Sequence, residues 1–166
     1  MNNQDFRQEI ENKKFRYLTK YASLMDQISN RGTTKGGDYI QFGPYFQTYM
    51  YAFMIGYHLG DCIPVAGAGE TKDLVSLSTW KPNELVDYIL MLMFSEPKEK
   101  LGFSWAELET MNDDQVKQCI STVIKRIEGY ANAGLAHIQK IFNEDKEEFR
   151  DPFVFMNILK EVSETM

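Results

Sequence analysis

The hydrophobic pattern of the chain is centred on an uncharged stretch, Phe42 to Leu59. Residues 39–60 contain no Asp, Glu, Lys or Arg, and apolar positions surround most of a helical circumference. A helix that is apolar on nearly every side is normally buried inside a protein. The stretch is also too short for a membrane span, which needs about 20 consecutive apolar residues. We therefore predict a central core helix that begins at Pro44 and ends at Leu59, with Gly60 just beyond it.

Apolar residues at helical spacing predict two more long helices before residue 100. One amphipathic helix is expected over Asp5 to Ile28, since apolar residues recur there at steps of three, four and seven. A second helix is expected over Asn83 to Phe94, directly after Pro82. Leu85 is predicted to belong to the buried stripe of that second helix.

The C-terminal half shows the longest regular pattern, which predicts a helix from Asp113 to about Asn143. A capping-box sequence that starts at Ser104 predicts a shorter helix before it, to about Met111. Asp151 and Pro152 are expected to be the N-cap and first turn of a last helix. That helix is predicted to pack through four apolar residues, namely Phe155, Met156, Leu159 and Val162.

Small residues interrupt the long pattern at Gly129 and Gly134. Each glycine costs roughly 1 kcal/mol of helix stability relative to alanine, so a structural reason for it is expected. The helix either bends at Gly129 or packs closely against a neighbour, and the surrounding alanines favour close packing. Gly56 in the central helix is the expected docking position for the surface around Gly134.

Two segments without helical periodicity, residues 29–38 and 60–81, are predicted to be flexible loops. Within the second one, Leu74 to Leu77 fits a short strand or an extended packing segment. The expected fold is an all-α, single-domain helical bundle over residues 1–166. It contains about five or six helices around the central apolar helix, with at most one short strand or hairpin in residues 60–80.

The composition is typical of a folded protein, with 43% hydrophobic and 13% aromatic residues among 166. Two cysteines are too few for a disulfide framework, and no apolar run follows a basic segment at the N-terminus. We therefore expect no signal peptide, a cytoplasmic location and no contact with a membrane.

The net charge of −6 is unevenly distributed along the chain. Residues 1–35 carry seven Lys or Arg against four Asp or Glu, whereas the rest carries 11 against 20. A basic end on an acidic body is typical of contact with a phosphate backbone or an acidic partner, although it also fits a solvated helix face. The candidate contact residues are Lys13, Arg16, Lys20, Arg31 and Lys35.

Two groups of residues are candidates for a catalytic or metal site. Asp61, Glu70 and Lys72 follow the carboxylate–carboxylate–lysine order of metal-dependent nucleases, but that chemistry requires paired strands and this stretch is rich in glycine. His58 and Cys62 stand four residues apart, a spacing suited to metal ligation or to a nucleophile pair. A solvated loop is favoured for the first set, and a structural hydrogen bond for His58 with packing for Cys62 is favoured for the second. We expect no catalytic residue, no metal and no cofactor.

Two stretches, FQTYMYAFMIGYHLGDCIP and IEGYANAGLAHI, resemble a family of small accessory proteins. These proteins are encoded beside bacterial DNA phosphorothioation (Dnd) systems and related antiphage systems. In that family a Phe-rich helix that ends in Gly precedes a variable loop and a late Tyr-Ala-Asn-Gly-Gly-Leu element. Here Ala133 replaces the first of the paired glycines. The resemblance implies a helical, defence-associated accessory protein and carries over no catalytic residue.

Three functions therefore remain open from the sequence. The leading hypothesis is a non-enzymatic accessory protein that contacts DNA or a defence-system protein subunit through the basic N-terminal region. The alternative is a helical protein-interaction or oligomerisation module without DNA contact, including a homo-oligomer. The third is a metal-dependent nuclease that uses Asp61, Glu70 and Lys72.

Overall fold

The computed structural model describes residues 3–30 and 38–165, and over these ranges the chain is mainly helical. Strands are also present there, so the all-α prediction is too strict, and the fold is mostly helical with small sheets. The helices are α1 (Asn3–Glu11), α2 (Ala22–Ile28), α3 (Tyr45–Leu59), α4 (Asn83–Phe94), α5 (Lys98–Leu101), α6 (Asp113–Glu144) and α7 (Val154–Glu164). The strands are β1 (Lys14–Leu18), β2 (Ser29–Asn30), β3 (Gly43–Pro44) and β4 (Thr71–Ser76). None of the helices in the described ranges combines the length and apolarity that crossing a membrane requires.

The strands form two small sheets, β1 with β4 and β2 with β3. Strands β2 and β3 are parallel, with Ser29 opposite Gly43 and Asn30 opposite Pro44. The strand β4 confirms an extended segment within residues 60–81, although it begins at Thr71, before the predicted Leu74.

The predicted helix over Asp5 to Ile28 is wrong, because α1 ends at Glu11 and the chain then forms β1. In β1, Phe15 and Tyr17 are buried on either side of the half-exposed Arg16. A two-residue alternation of this kind is the signature of a strand. The apolar residues of α1 and α2 lie at spacings that a single helix would also produce, which is why the break was not evident.

The chain divides into two compact units. The first consists of Met1–Phe15 and Val75–Ile127, and the second of Arg16–Leu74 and Glu128–Met166. The dividing points fall within β1, β4 and α6. The prediction of one domain over residues 1–166 stays a prediction.

In the first unit, α4 has the predicted bounds and begins directly after Pro82, as expected. Aromatic rings form much of the core, where the ring centroid of Phe6 lies 5.8 Å from that of Trp105. The ring centroid of Phe15 likewise lies 5.5 Å from that of Trp80. The Ser104 capping box is confirmed, although the turn that follows it, Trp105–Thr110, is a 3₁₀ helix.

In the second unit, α3 is the central core helix that the sequence predicts. Eight of its 15 residues are buried, and Gly60 follows it with a φ of 71°. That left-handed conformation favours glycine and ends the helix. The last helix, α7, begins slightly later than predicted, because Phe153 and not Asp151 is its N-cap residue.

The predicted docking of Gly56 against the surface around Gly134 is confirmed. A Cβ atom on Gly56 would lie 1.9 Å from the carbonyl oxygen of Tyr130, and one on Gly134 would lie 1.7 Å from the carbonyl oxygen of Ala52. No side chain fits at either position, so the backbones of α3 and α6 are in direct contact. Helix α6 is a continuous helix of 32 residues that contains Gly129 and Gly134.

We expect Gly56→Ala to destabilise the protein by about 3 kcal/mol, at the upper end of typical overpacking costs. The new methyl group would meet a backbone carbonyl, which cannot move aside without separating the two helices. Urea denaturation followed by circular dichroism measures the free energy of unfolding.

The matched control is Gly129→Ala combined with Cys62→Ala. At Gly129 the added Cβ would lie 2.4 Å from the Cys62 Sγ atom, which the second substitution removes. Its other near neighbours are backbone atoms of Ile63 at 3.5 and 3.6 Å, which are ordinary contact distances. The double variant should stay within about 1 kcal/mol of the wild type, because alanine also favours the helix. A Gly56→Ala protein as stable as the wild type would contradict the close crossing.

Candidate functional site

The basic residues proposed as a contact surface lie in different elements and do not form a stripe along one helix. Lys13 is exposed before β1 and belongs to the first unit. Arg16 lies in β1, and Lys20 lies in a 3₁₀ turn, Thr19–Tyr21, of the second unit. Arg31 and Lys35 lie outside the described residues.

Arg16 is engaged by a buried carboxylate, Glu128 of α6. The side chain of Glu128 is only 2% exposed, whereas that of Arg16 is 38% exposed. The backbone N–H of Arg16 donates to Glu128 Oε2 at 2.7 Å, and Nε and Nη2 of its guanidinium donate to the carboxylate at 3.0 and 3.2 Å. These side-chain hydrogen bonds raise the pKa of Arg16 above its usual value.

Two further buried side chains bind the backbone around Arg16. Asn132 donates to the carbonyl oxygens of Arg16 and Glu128 at 3.3 and 2.8 Å, and its own oxygen accepts from the Leu18 N–H at 3.0 Å. The Tyr49 hydroxyl donates to the Arg16 carbonyl oxygen at 2.9 Å, and burial raises the pKa of this tyrosine well above its usual value. Arg16 therefore joins β1 to α3 and α6, which is a structural role.

Breaking this pair should have an asymmetric effect on stability. Arg16→Met leaves the Glu128 carboxylate buried without its cation, and we expect a loss of about 3 kcal/mol. Glu128→Gln leaves a guanidinium that is more than one-third exposed and reaches water, so we expect a smaller loss of about 1–2 kcal/mol. Urea denaturation of the two variants measures the difference. Equal losses in the two variants would show that the burial of the Glu128 carboxylate is not the main cost of breaking the pair.

Lys20 shares an open cavity of about 570 Å³ with Lys140 of α6. The Lys20 Nζ atom lies 5.2 Å from the centroid of the Tyr21 ring, and Gln139 donates to Asn143 along the cavity wall at 3.0 Å. Neither lysine forms an ion pair with a carboxylate in the described part of the chain. The fold thus brings together two cations that are 120 positions apart.

The candidate catalytic and metal-binding residues are either exposed or packed against neighbouring residues. Asp61, Glu70 and Lys72 are all exposed. Cys62 packs its sulfur atom against Gly129, and the ring of His58 lies edge-on to a neighbouring tyrosine. Across residues 3–30 and 38–165 there is no group of three or more His, Cys, Asp or Glu side chains placed to hold a metal ion.

The exposed face of α7 carries large apolar side chains. Phe153 at its N-cap is 62% exposed, Met156 is 66% exposed and Leu159 is 37% exposed. The prediction that Met156 and Leu159 pack into the core is therefore wrong. The opposite face of the helix holds it to the protein through four buried residues, Val154, Phe155, Ile158 and Val162.

In the first unit, α4 has a comparable exposed stripe of Leu85, Tyr88 and Met91. Leu85 was predicted to be buried, and that prediction is also wrong. Residues three apart on a helix are neighbours along one face, so in each unit the three apolar side chains form a short ridge. The spacing of these exposed apolar residues can be read from the sequence. Their hydrophobicity alone does not distinguish them from the buried residues of the same helices.

Beside the apolar ridge of α7 lies an acidic cavity of about 410 Å³. Four carboxylates line it, those of Glu148, Asp151, Glu161 and Glu164, and one lysine, Lys160. The Asp151 carboxylate accepts the Phe153 N–H at 2.9 Å. Apolar and acidic groups thus lie side by side on the exposed face of one helix.

Family models, curated proteins and solved structures were all compared with the chain, and none of them matches it.

Proposed function

We propose that this chain is a non-enzymatic binding protein that acts through contact with another protein, and that α7 carries the contact surface. The observation that supports this function is the ridge formed by Phe153, Met156 and Leu159. Two of these three side chains are more than three-fifths exposed although they are large and apolar. Scattered single apolar residues are ordinary on a protein surface, whereas a contiguous group often marks an interaction site.

The types of residue also favour a protein interface. Aromatic residues and methionine are enriched in the cores of protein–protein interfaces. Methionine also adapts its shape to a partner surface because its side chain is unbranched and polarisable. Complete burial of one such side chain contributes about 1.5–3 kcal/mol, so three of them would supply a useful fraction of a binding free energy.

Helix α7 is well supported beneath this ridge. The Tyr51 hydroxyl of α3 donates to the Phe155 carbonyl oxygen at 2.6 Å. The ring centroid of Phe155 lies 5.2 Å from that of Phe42 and 6.1 Å from that of Phe149. A partner would therefore meet a preformed surface, and little binding free energy would be lost in ordering it.

The resemblance to accessory proteins of DNA phosphorothioation and related antiphage systems suggests the cellular setting. In that setting the partner would be a protein subunit of the same system. The identity of the neighbouring genes, read from the source genome, tests this part of the proposal. Neighbours unrelated to DNA modification or defence would remove it.

A photo-crosslinking amino acid placed at Met156 tests the contact surface in cells that produce the natural partner. We expect a discrete protein adduct from this position and none from Glu109, an exposed position of the first unit. Adding Phe153→Ser should weaken the complex about tenfold or more, because a large aromatic side chain that a partner buries contributes much of the binding free energy. Adducts of equal yield from both positions, or no adduct at all, would contradict the proposal.

DNA contact is the second candidate function, and the cavity shared by Lys20 and Lys140 favours it. Lys20 and Lys140 form no ion pair with a carboxylate in the described part of the chain, so they are suited to neighbouring phosphates. Glu144 also lines the cavity, and the three charged side chains together give it a net charge of +1. The charge of Lys140 also acts on His137, whose pKa is lowered first by burial and then by Lys140. Arg16 is not part of this candidate surface, because it is bonded to Glu128.

Reversing both charges, Lys20→Glu with Lys140→Glu, should weaken DNA binding and reduce the salt dependence of log K by a slope of about 2. The matched control is Lys100→Glu with Lys117→Glu, which makes the same change in net charge at exposed positions of the first unit. Fluorescence anisotropy with labelled duplex DNA measures both quantities. If the wild-type protein does not bind DNA at low salt, the DNA function is excluded.

A further inference from the structure

We propose that the partner on α7 is an amphipathic helix of a different protein, with an apolar stripe flanked by lysine or arginine. This inference rests on the proposed function and identifies the chemistry of its partner. It is derived from the arrangement of apolar and acidic residues around α7.

The exposed face of α7 has two chemically different sides. Successive residues of a helix are rotated by 100°, so Met156 and Leu159 lie on one side of the exposed face. The same rotation places Glu161 and Glu164 on the other side, and Lys160 lies between the apolar side and the acidic side. A single segment that covers the face would therefore meet apolar groups along one edge and carboxylates along the other.

The shape of the apolar ridge favours a helix as the covering segment. Phe153, Met156 and Leu159 follow one another at steps of three, and such rows form ridges inclined to the helix axis. Ridges of this kind pack into the grooves between side chains on a second helix. An amphipathic helix offers such grooves on its apolar face and carries its charges at the flanks.

The charge of the cavity determines which flanks would fit. Its five charged lining residues give a net charge of −3. Glu148, Glu161 and Glu164 form no ion pair with a lysine or arginine within the described residues. Basic flanks would supply these missing counter-charges, whereas acidic flanks would add repulsion.

The same charge disfavours a second copy of this face as the occupant. In a twofold-symmetric dimer each surface patch meets itself. In an antiparallel pair of α7 helices the carboxylates of Glu161 and Glu164 would approach those of the other copy, with only Lys160 to offset them. In a parallel pair they would lie against the apolar edge of the other copy, where no cation compensates their loss of water. A basic helix from another protein avoids this repulsion.

A displayed library of helical peptides tests the inference directly. Every peptide has the same leucine stripe, and the flanking positions are randomised among Lys, Glu and Gln. Selection on the full chain should enrich lysine at the flanks. A selected basic peptide should bind about tenfold more tightly than its Glu-flanked counterpart at low salt, and the difference should shrink as salt screens the charges.

Variants of the protein assign the preference to α7. Glu161→Lys with Glu164→Lys should reduce or reverse the preference for basic flanks. Phe153→Ser should lower the affinity of the protein for all of the peptides. The control, Glu99→Lys with Glu109→Lys, makes the same charge change at exposed positions of the first unit and should leave the preference intact.

Three results would overturn the inference. The first is selection of acidic or neutral flanks, and the second is no selection of any peptide. The third is self-association in light scattering that Phe153→Ser abolishes, which would make a second copy the occupant. If one of these results is found and the photo-crosslinked adduct at position 156 is still observed, only the basic helix is rejected. The protein-binding function then remains. Loss of the adduct as well would reject both.

Discussion

The contact between the backbones of α3 and α6 is the constraint on which the second unit depends. Gly56 and Gly134 leave no room for a side chain, so the two helices approach until the backbone of each touches the other. This approach is compatible with the hydrogen bonds of 2.9 and 3.3 Å that Tyr49 of α3 and Asn132 of α6 donate to the same carbonyl oxygen of Arg16. The chain thereby holds a strand residue between two helices, and side chains of the protein bind both its backbone N–H and its carbonyl oxygen.

That arrangement changes the interpretation of the basic N-terminal region. Arg16 neutralises a buried carboxylate and so contributes to the fold, while Lys20 faces a cavity together with a lysine of α6. Among the described basic residues of this region, Arg16 therefore has a structural role and Lys20 lies at the surface. The apolar ridge of α7 is the stronger candidate for a contact, because its side chains remain exposed on a helix that is otherwise firmly packed.

Much of the helical framework could be predicted from the sequence. The bounds of α3, α4 and α6 are confirmed to within about one residue, because each helix has a strong apolar pattern and clear residues at its ends. Strand β1 was missed because a five-residue strand gives a weak periodic signal beside two helices. The cavity that Lys20 and Lys140 share could not be predicted, because it depends on packing between residues far apart in the sequence. The surface of α7 was misassigned for a similar reason.

The sequence by itself determined helices α3, α4 and α6, the central position of α3, and the place where two glycines allow close contact. These properties follow from the local order of apolar, small and capping residues. Only the tertiary structure decided which apolar residues are covered. Ile158 is buried and Met156 is exposed, although both are apolar residues of α7 only two positions apart. Burial depends on the neighbours that the folded chain brings to each face, and those neighbours are distant in the sequence.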